Sequence, residues 1–302
     1  MQIIRNNAAF DPHREKLLRY FSREDLFFAR NTHLCLVCGA SGERSLRSSF
    51  LKHLEASRDH RISCLRAEAL ASEWLRLAQG RGPNSPAFVR LMAETVDSVL
   101  IFAESPASFT ELGYFSAHDE ISRKCLVVMP AEHRDHPFIA LGPIRAISRR
   151  SIFDPPLMTV ADPSAVQMDH IVHALLGERA HKRAYRQRFK RKPWKDYDSR
   201  QQLALIDEIV DLVGAVNEAD LQHAIGLIFE HYDVSKLRLQ LSLLVAAGRI
   251  VRNGDGELFA RPRQASFFDQ PSQENLSVKA AWRRAFERFD PDVLRTLDEV
   301  QR

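Results

Sequence analysis

Short apolar runs alternate along the first two thirds of the chain with polar turns and amphipathic stretches. HLCLVC at His33–Cys38, RISCLR at Arg61–Arg66, SVLIFA at Ser98–Ala103 and KCLVVM at Lys124–Met129 are nearly continuous in apolar residues and have the length of strands. Strands of that kind are buried on both faces, as in a parallel sheet. Helical patterns follow the first three, from about Ser45, over Ala69–Ala78 and from about Ser108, and another spans Ala87–Thr95 after the loop Gly80–Pro86. This alternation predicts an α/β fold with a doubly wound, mostly parallel sheet. Weaker apolar groups at Pro137–Ile139, Gly142–Ile144, Ile152–Phe153 and Leu157–Val160 add one or two more strands. Ahead of the sheet, Asp11–Arg30 reads as one or two helices packed on the main domain. It opens on Asp11-Pro12, an N-cap followed by proline at the first helical position.

The pattern changes after a linker at Pro193–Arg200. Three helices are expected at Gln202–Val213, Glu218–Phe229 and Ser235–Ala247. Strands at Arg249–Arg252 and Glu257–Ala260 then flank Asn253-Gly254-Asp255-Gly256, a hairpin-turn signal. Three helices and a hairpin predict a winged helix. Its third helix is expected to expose Lys236, Arg238 and Gln240, and both DNA and protein stay open as its partner. From Gln264 a polar linker leads to an amphipathic helix with Trp282, Phe286 and Phe289, expected to make a docking or oligomer contact. The expected division is a catalytic domain over 1–192 ending in a basic helix, a winged helix over 193–263, and a tail over 264–302.

Composition adds little to this. A length of 302 residues holds about two domains, and 45% hydrophobic with 27% charged residues is ordinary for a soluble globular protein. The start has no signal-peptide core, and the longest apolar stretches are too short to cross a bilayer, so a cytoplasmic protein with no membrane partner is expected. Of the four cysteines, Cys35 and Cys38 form a C-x-x-C, but it lies inside a strand that points them to opposite faces. Four buried small side chains are expected, with no metal site.

The net charge of +4 is concentrated. The helix from Ala165 is expected to extend into RAHKRAYRQRFKRKPWK, with nine Lys and Arg between Arg179 and Lys195, no acid among them, and Tyr185, Phe189 and Trp194 interleaved. A solvated face is one reading. Uncompensated charge with aromatics favours the other, contact with nucleic acid through Lys182, Arg183, Arg186, Arg188, Lys190, Arg191 and Lys192.

Candidate chemistry gathers where strands end. Ser98–Ala103 runs into Glu104-Ser105-Pro106 and then a helix, so this turn lies at the carboxyl end of the sheet, where open α/β folds bind ligands. Glu111 is placed in the first helical turn, where the helix dipole keeps a carboxylate ionised. Ser108 and Glu111 also fit the capping box S-x-x-E, a purely structural reading. Ser105, Thr110 and Glu104 crowd the same turn, and Gly113 permits close approach, beyond what a cap requires. After the first strand, Gly39-Ala40-Ser41-Gly42 either presents N–H groups to a phosphate, with Arg44 and Arg47 adding charge, or is a tight turn without a ligand. Glu68, near another strand end, is either a pocket residue or a surface glutamate. Asp97, at the far end of its strand, reads as structural.

The run FAESPASFTELGYFS, preceded by AETVDSV and followed by KCLVV and FIALGPI, resembles effector proteins of bacterial retrons that carry a nucleoside deoxyribosyltransferase-like domain and a C-terminal winged helix. The resemblance covers most of the chain in order and is sharpest over Asp97–Ser116. It implies an N-glycosidase in an anti-phage defence system, held in a multimeric complex with the retron reverse transcriptase and its branched RNA–DNA hybrid (msDNA). It also implies attack on a nucleotide, with NAD as the natural substrate and no cofactor. The family's catalytic glutamate falls on Glu111 and its glycine-bearing loop on Gly39–Gly42. Ser105 and Ser108 would then hold ribose hydroxyls or a phosphate, and Glu104 and Glu68 would grip the ribose. One departure is Ser105-Pro106-Ala107-Ser108, where true deoxyribosyltransferases have an aspartate and a glycine; this argues against transfer on free deoxynucleosides. Related retron effectors also tend to have glycine where Ala107 stands. The rival reading is a nucleic-acid-binding regulator or scaffold whose α/β domain binds a nucleotide without catalysis.

Overall fold

The computed structural model describes residues 7–28, 32–57, 61–66, 68–70, 72–73, 92, 94–134, 136–177, 187–253, 258–262, 264, 266–269 and 272–301. The expectations for Gly80–Pro86, for most of Ala87–Thr95, and for Lys182, Arg183 and Arg186 lie outside these residues. The chain divides into two compact units, one of 33–69 with 84–185 and the other of 1–32, 70–83 and 186–302.

The first unit contains a five-stranded sheet. Its elements are β1 (His33–Cys38), α1 (Leu46–Ser57), β2 (Ile62–Arg66), β3 (Ser98–Phe102), α2 (Pro106–Ser116), α3 (Asp119–Ser122), β4 (Cys125–Pro130), β5 (Leu157–Val160) and α4 (Ala165–Leu176). The strand order is β2-β1-β3-β4-β5 and every pairing is parallel. Cys35 and Val37 of β1 pack with Leu100 and Phe102, against Phe50 and Leu54 of α1 and Ile171 and Leu175 of α4. The alternate residues Leu36, Cys38, Val99, Ile101, Val127 and Met129 are buried too. Burial of both faces explains the continuous apolar runs. Asp97 is structural as read: its carboxylate accepts the Leu34 N–H at 2.9 Å and Asp97 N–H donates to the Leu34 carbonyl.

Of the four weaker apolar groups, Leu157–Val160 forms a strand and two others are helical instead. Pro137–Ile139 is α-helical and Ala140–Ile144 is a π-helical stretch, continuing into Arg145–Ser148. Pro137 stands at a helix start, where its missing N–H costs nothing, and Phe138 and Leu141 are exposed rather than buried as strand residues would be. Cys35, Cys38 and Cys125 are buried and Cys64 is half-buried. Burial pushes the Cys35 and Cys125 thiols up to about 12, which makes them poor nucleophiles. Among the described residues no cluster of His, Cys, Asp and Glu is arranged to hold a metal, and no helix is long and apolar enough to cross a membrane.

The second unit is built around the helix Ser199–Val213, which is buried nearly throughout. A short strand Ala215–Asn217, the helices Glu218–Phe229 and Val234–Ala246, and strands Val251–Arg252 and Leu258–Ala260 follow it. The three strands form an antiparallel sheet with Leu258–Ala260 in the middle. The N-terminal helix Asp11–Tyr20 belongs to this unit, with Phe10 stacked on Trp282 at 5.8 Å between centroids. The units therefore do not coincide with a division at 192 and 263, because aromatic packing joins the first and last parts of the chain.

A polar network is buried here. Arg249 binds Asp207 through two hydrogen bonds of 3.1 and 2.7 Å, with both side chains at most 1% exposed. Arg261 and Lys279 each reach Asp211 at 2.7 Å. Glu208 accepts from Tyr20 Oη at 2.7 Å and Ser266 Oγ at 3.0 Å. Burial, reinforced by Asp211 and opposed by Tyr20, Arg261 and Ser266, raises the Glu208 carboxyl to about 7. A carboxyl whose folded value lies above its unfolded one binds protons more tightly when folded. Its contribution to stability is complete below the ordinary glutamate value of 4.5 and is lost as pH rises through about 7. That contribution is roughly 3 kcal/mol. Urea unfolding at pH 5 and pH 8 should show this loss in the wild type and not in Glu208→Gln; the same pH dependence in both would refute the assignment.

Candidate active site

The order β2-β1-β3 reverses direction at β1, and the turns after β1 and β3 meet at this switch point. After Cys38 the chain turns at Gly39, with φ +150°; a Cβ there would lie 2.9 Å from Phe102 Cβ, so only glycine fits. Gly39 O accepts from Arg47 Nη1 at 3.1 Å, and Ala40 O accepts from Ser45 Oγ at 3.0 Å. Gly42 O accepts from Ser48 Oγ, while Ser41 and Gly42 are exposed.

The start of α1 does not leave its first N–H groups free for a phosphate, which was one of the two readings of the glycine turn. Leu46 N–H donates to Glu104 Oε2 at 2.7 Å and Arg47 N–H to Glu104 Oε1 at 3.3 Å. A carboxylate from the end of β3 fills the seat that an anion would take. Glu104 is therefore a long-range helix cap.

Arg47 is the central cation, and its role was not legible beyond its charge. Its side chain is 7% exposed and grips Glu68 with a fork of 3.1 and 2.6 Å. Burial works against the Glu68 carboxylate, but the hydrogen bonds and charge of Arg47 outweigh it and hold its carboxyl below the usual range. Arg47 Nε is buried with no hydrogen-bond partner among the described residues.

Glu111 corrects an expectation. The N-cap of α2 is Ser105, with Pro106 next, and the capping box is closed by Ser108 rather than by Glu111. Glu111 consequently lies beyond the first turn, half-buried, and its carboxylate has no hydrogen-bond partner among the described residues. Without the helix terminus, burial dominates and raises its carboxyl above the ordinary value; Arg47 opposes this and Glu68 adds to it. Both are thus within electrostatic reach of Glu111. Ser105 Oγ and Ser108 Oγ are 3.1 Å apart within the cap. Ser108 is fully buried, and its Oγ accepts from Glu104 N–H and Ser105 N–H and donates to Ser105 O, so it is not available to a ribose. Thr110 Oγ1 is spent on Pro106 O, and a Cβ at Gly113 would meet nothing within 4 Å, so no close approach requires that glycine.

The second unit holds the described part of the basic segment. The helix from Ala165 stops at Leu176, and Gln187–Arg188 is a strand paired with Phe27–Phe28. Phe189 and Trp194 are buried in a cluster with Phe229 and Tyr197, so they serve as core and not as stacking platforms. Arg188 pairs with Glu24, Arg191 donates to Ile228 O, and Lys192 lies over the Tyr197 ring. Lys190 and Arg191 remain exposed. In the helix Val234–Ala246, Gln240 is buried and donates to Gln202 Oε1, contrary to its expected exposure, and Arg238 pairs with Glu218.

Comparison with known proteins supplies context. The model of the STM3845 retron effector proteins matches residues 43–252, more than half of the chain and inclusive of Arg47, Glu68, Glu104 and Glu111. A protein of Escherichia coli, the Retron Ec86 putative ribosyltransferase/DNA-binding protein, is 27% identical over 149 residues, 48% of this chain and 47% of that one. The chain thus spans about half the length of this relative.

Proposed function

The chain belongs to the STM3845 retron effector family, and from that premise we propose that this defence effector is an N-glycosidase acting on a nucleotide, with NAD its substrate. The observation that carries the reading is the half-buried Glu111 carboxylate, unbonded among the described residues, on the helix that follows the switch-point strand β3 and within electrostatic reach of the Arg47–Glu68 pair. The relative named as a putative ribosyltransferase supports glycosyl transfer as the class of chemistry.

Glu111 attacks C1′ as the C1′–N bond breaks, and the bonding electrons leave with the base. The nicotinamide of NAD is cationic in the substrate and departs neutral, so no general acid is needed. The transition state carries positive charge at C1′, which the carboxylate stabilises before closing the C1′–O bond. Water then attacks C1′, Glu111 departs as carboxylate, and the water proton passes to solvent. Arg47 favours the ionised form of Glu111 against its burial.

We also propose that the second unit, with its helix–strand–helix–helix–hairpin order, is a winged helix that contacts the branched RNA–DNA hybrid. Lys190, Arg191 and the basic residues 182, 183 and 186 would supply phosphate contacts, and the reverse transcriptase and hybrid would hold the effector inactive in a multimeric complex. The name of the Escherichia coli relative, which includes DNA binding, favours this. The test is to incubate the full chain with NAD, alone and with reverse transcriptase and hybrid, and to quantify free nicotinamide. Release by the free chain, suppressed in the complex, is expected. An absence of release by the free chain and by the activated complex overturns the enzymatic reading.

A further inference from the structure

The seat occupied by Glu104 bears on which substrates enter. The N-terminus of an α-helix that follows a parallel strand and a glycine turn is the ordinary place for a substrate phosphate in open α/β folds. Here the first donors of α1 are bound by a carboxylate from 58 residues away in sequence, at 2.7 and 3.3 Å. The same residue is anchored on its other side, because Glu104 N–H donates to Ser108 Oγ at 3.1 Å inside the α2 cap. Arg47, whose own N–H caps on Glu104, keeps a buried Nε without a hydrogen-bond partner among the described residues. The remaining charge is unfavourable to phosphate: Glu68 is forked onto Arg47, and Glu111 lies within electrostatic reach of that pair.

We propose that Glu104 is a specificity-determining residue that fills the phosphate seat of the fold and selects against substrates bearing a terminal phosphate monoester on the reacting ribose. A monoester carries about −1.5 to −2 charges at neutral pH, whereas each phosphate of a dinucleotide bridge carries one. The monoester therefore loses most where the seat is already negative. The favoured class is a dinucleotide with a positively charged N-glycosidic base, and the disfavoured class is the corresponding mononucleotide. This rests on the N-glycosidase reading, but part of its test does not.

The experiment uses the full chain as wild type, Glu104→Ala and Glu104→Gln. The first measurement is the change in Tm with inorganic phosphate from 0 to about 10 mM, a range in which a site of millimolar Kd stabilises measurably. Phosphate should raise the Tm of Glu104→Ala and leave wild type and Glu104→Gln unmoved, since glutamine still fills the space. The second is nicotinamide release from nicotinamide mononucleotide relative to NAD, which should rise at least tenfold in Glu104→Ala. If Glu104→Ala does not fold, Glu104→Ser, equally too short to reach α1, takes its place. A folded variant that gains neither phosphate stabilisation nor a changed ratio overturns the proposal. If no protein releases nicotinamide from either compound, the glycosidase reading fails, and the phosphate melts alone decide the role of Glu104.

Discussion

Replacing Glu111 with glutamine will reduce nicotinamide release from NAD by at least about 10³-fold while leaving the Tm within a degree or two of wild type. The nucleophile and its negative charge are lost together, and a neutral amide neither captures C1′ nor stabilises a developing oxocarbenium ion. Removal of one well-placed electrostatic contributor commonly costs 10²–10³ in rate. Loss of the attacking atom itself costs more. Stability should be spared because the Glu111 carboxylate accepts no hydrogen bond among the described residues, and its burial already disfavours the charged form. The wild-type pH profile carries the same signature. The active form is ionised, so kcat/KM should fall as pH drops through a value above the ordinary glutamate range. A steady-state assay of both proteins across pH 4–8 checks this, and equal rates would remove Glu111 from the chemistry.

The second large effect is structural. Arg249→Met should destabilise the full chain by about 3–5 kcal/mol, because it strands the Asp207 carboxylate, 1% exposed, without its two-pronged partner. Arg261, whose Nε lies 3.3 Å from Asp207 Oδ2, offsets only part of this. The guanidinium of Arg249 also lies 4.1 Å from the Phe267 centroid, and methionine forfeits that charge–ring attraction. Removing both charges, as in Arg249→Met with Asp207→Leu, should recover much of the loss, since an apolar pair of similar volume avoids the desolvation of two ions. Urea denaturation of the three proteins measures it. A single variant that loses under 1 kcal/mol would show that the pair contributes little.

The parts of the fold legible in the sequence were those in which local pattern and burial agree. The four clear strands have residues buried on both faces, so their apolar continuity was a direct imprint of the sheet. The glycine turn and the Glu104–Glu111 turn were placed at strand ends, and the strand order then brought them to one switch point. The register of α2 was not read correctly, because two capping signatures overlap there. Ser105-Pro106, a cap followed by proline at the first helical position, carried the better signal than S-x-x-E. The basic segment misled for a different reason. Phe189 and Trp194 have the same interleaved spacing whether they stack on bases or fill a core, and only the tertiary fold decides. Gln240 and Glu104 owe their roles to partners 38 and 58 residues away, which no local window contains. Arg47 was visible as a charge one turn past a glycine loop, but its fork on Glu68 required the parallel pairing of β1 and β2.

A carboxylate that bonds to the anomeric carbon fixes the stereochemistry of the product, which therefore reports that step. The full-length effector, released from its complex, is supplied with NAD in buffer containing methanol, and the methyl glycoside of ADP-ribose is assigned as α or β by proton NMR. Two displacements at C1′, first by Glu111 and then by methanol, predict the β anomer, the configuration of the bond that was broken. The α anomer, produced by a single direct displacement, would contradict the account.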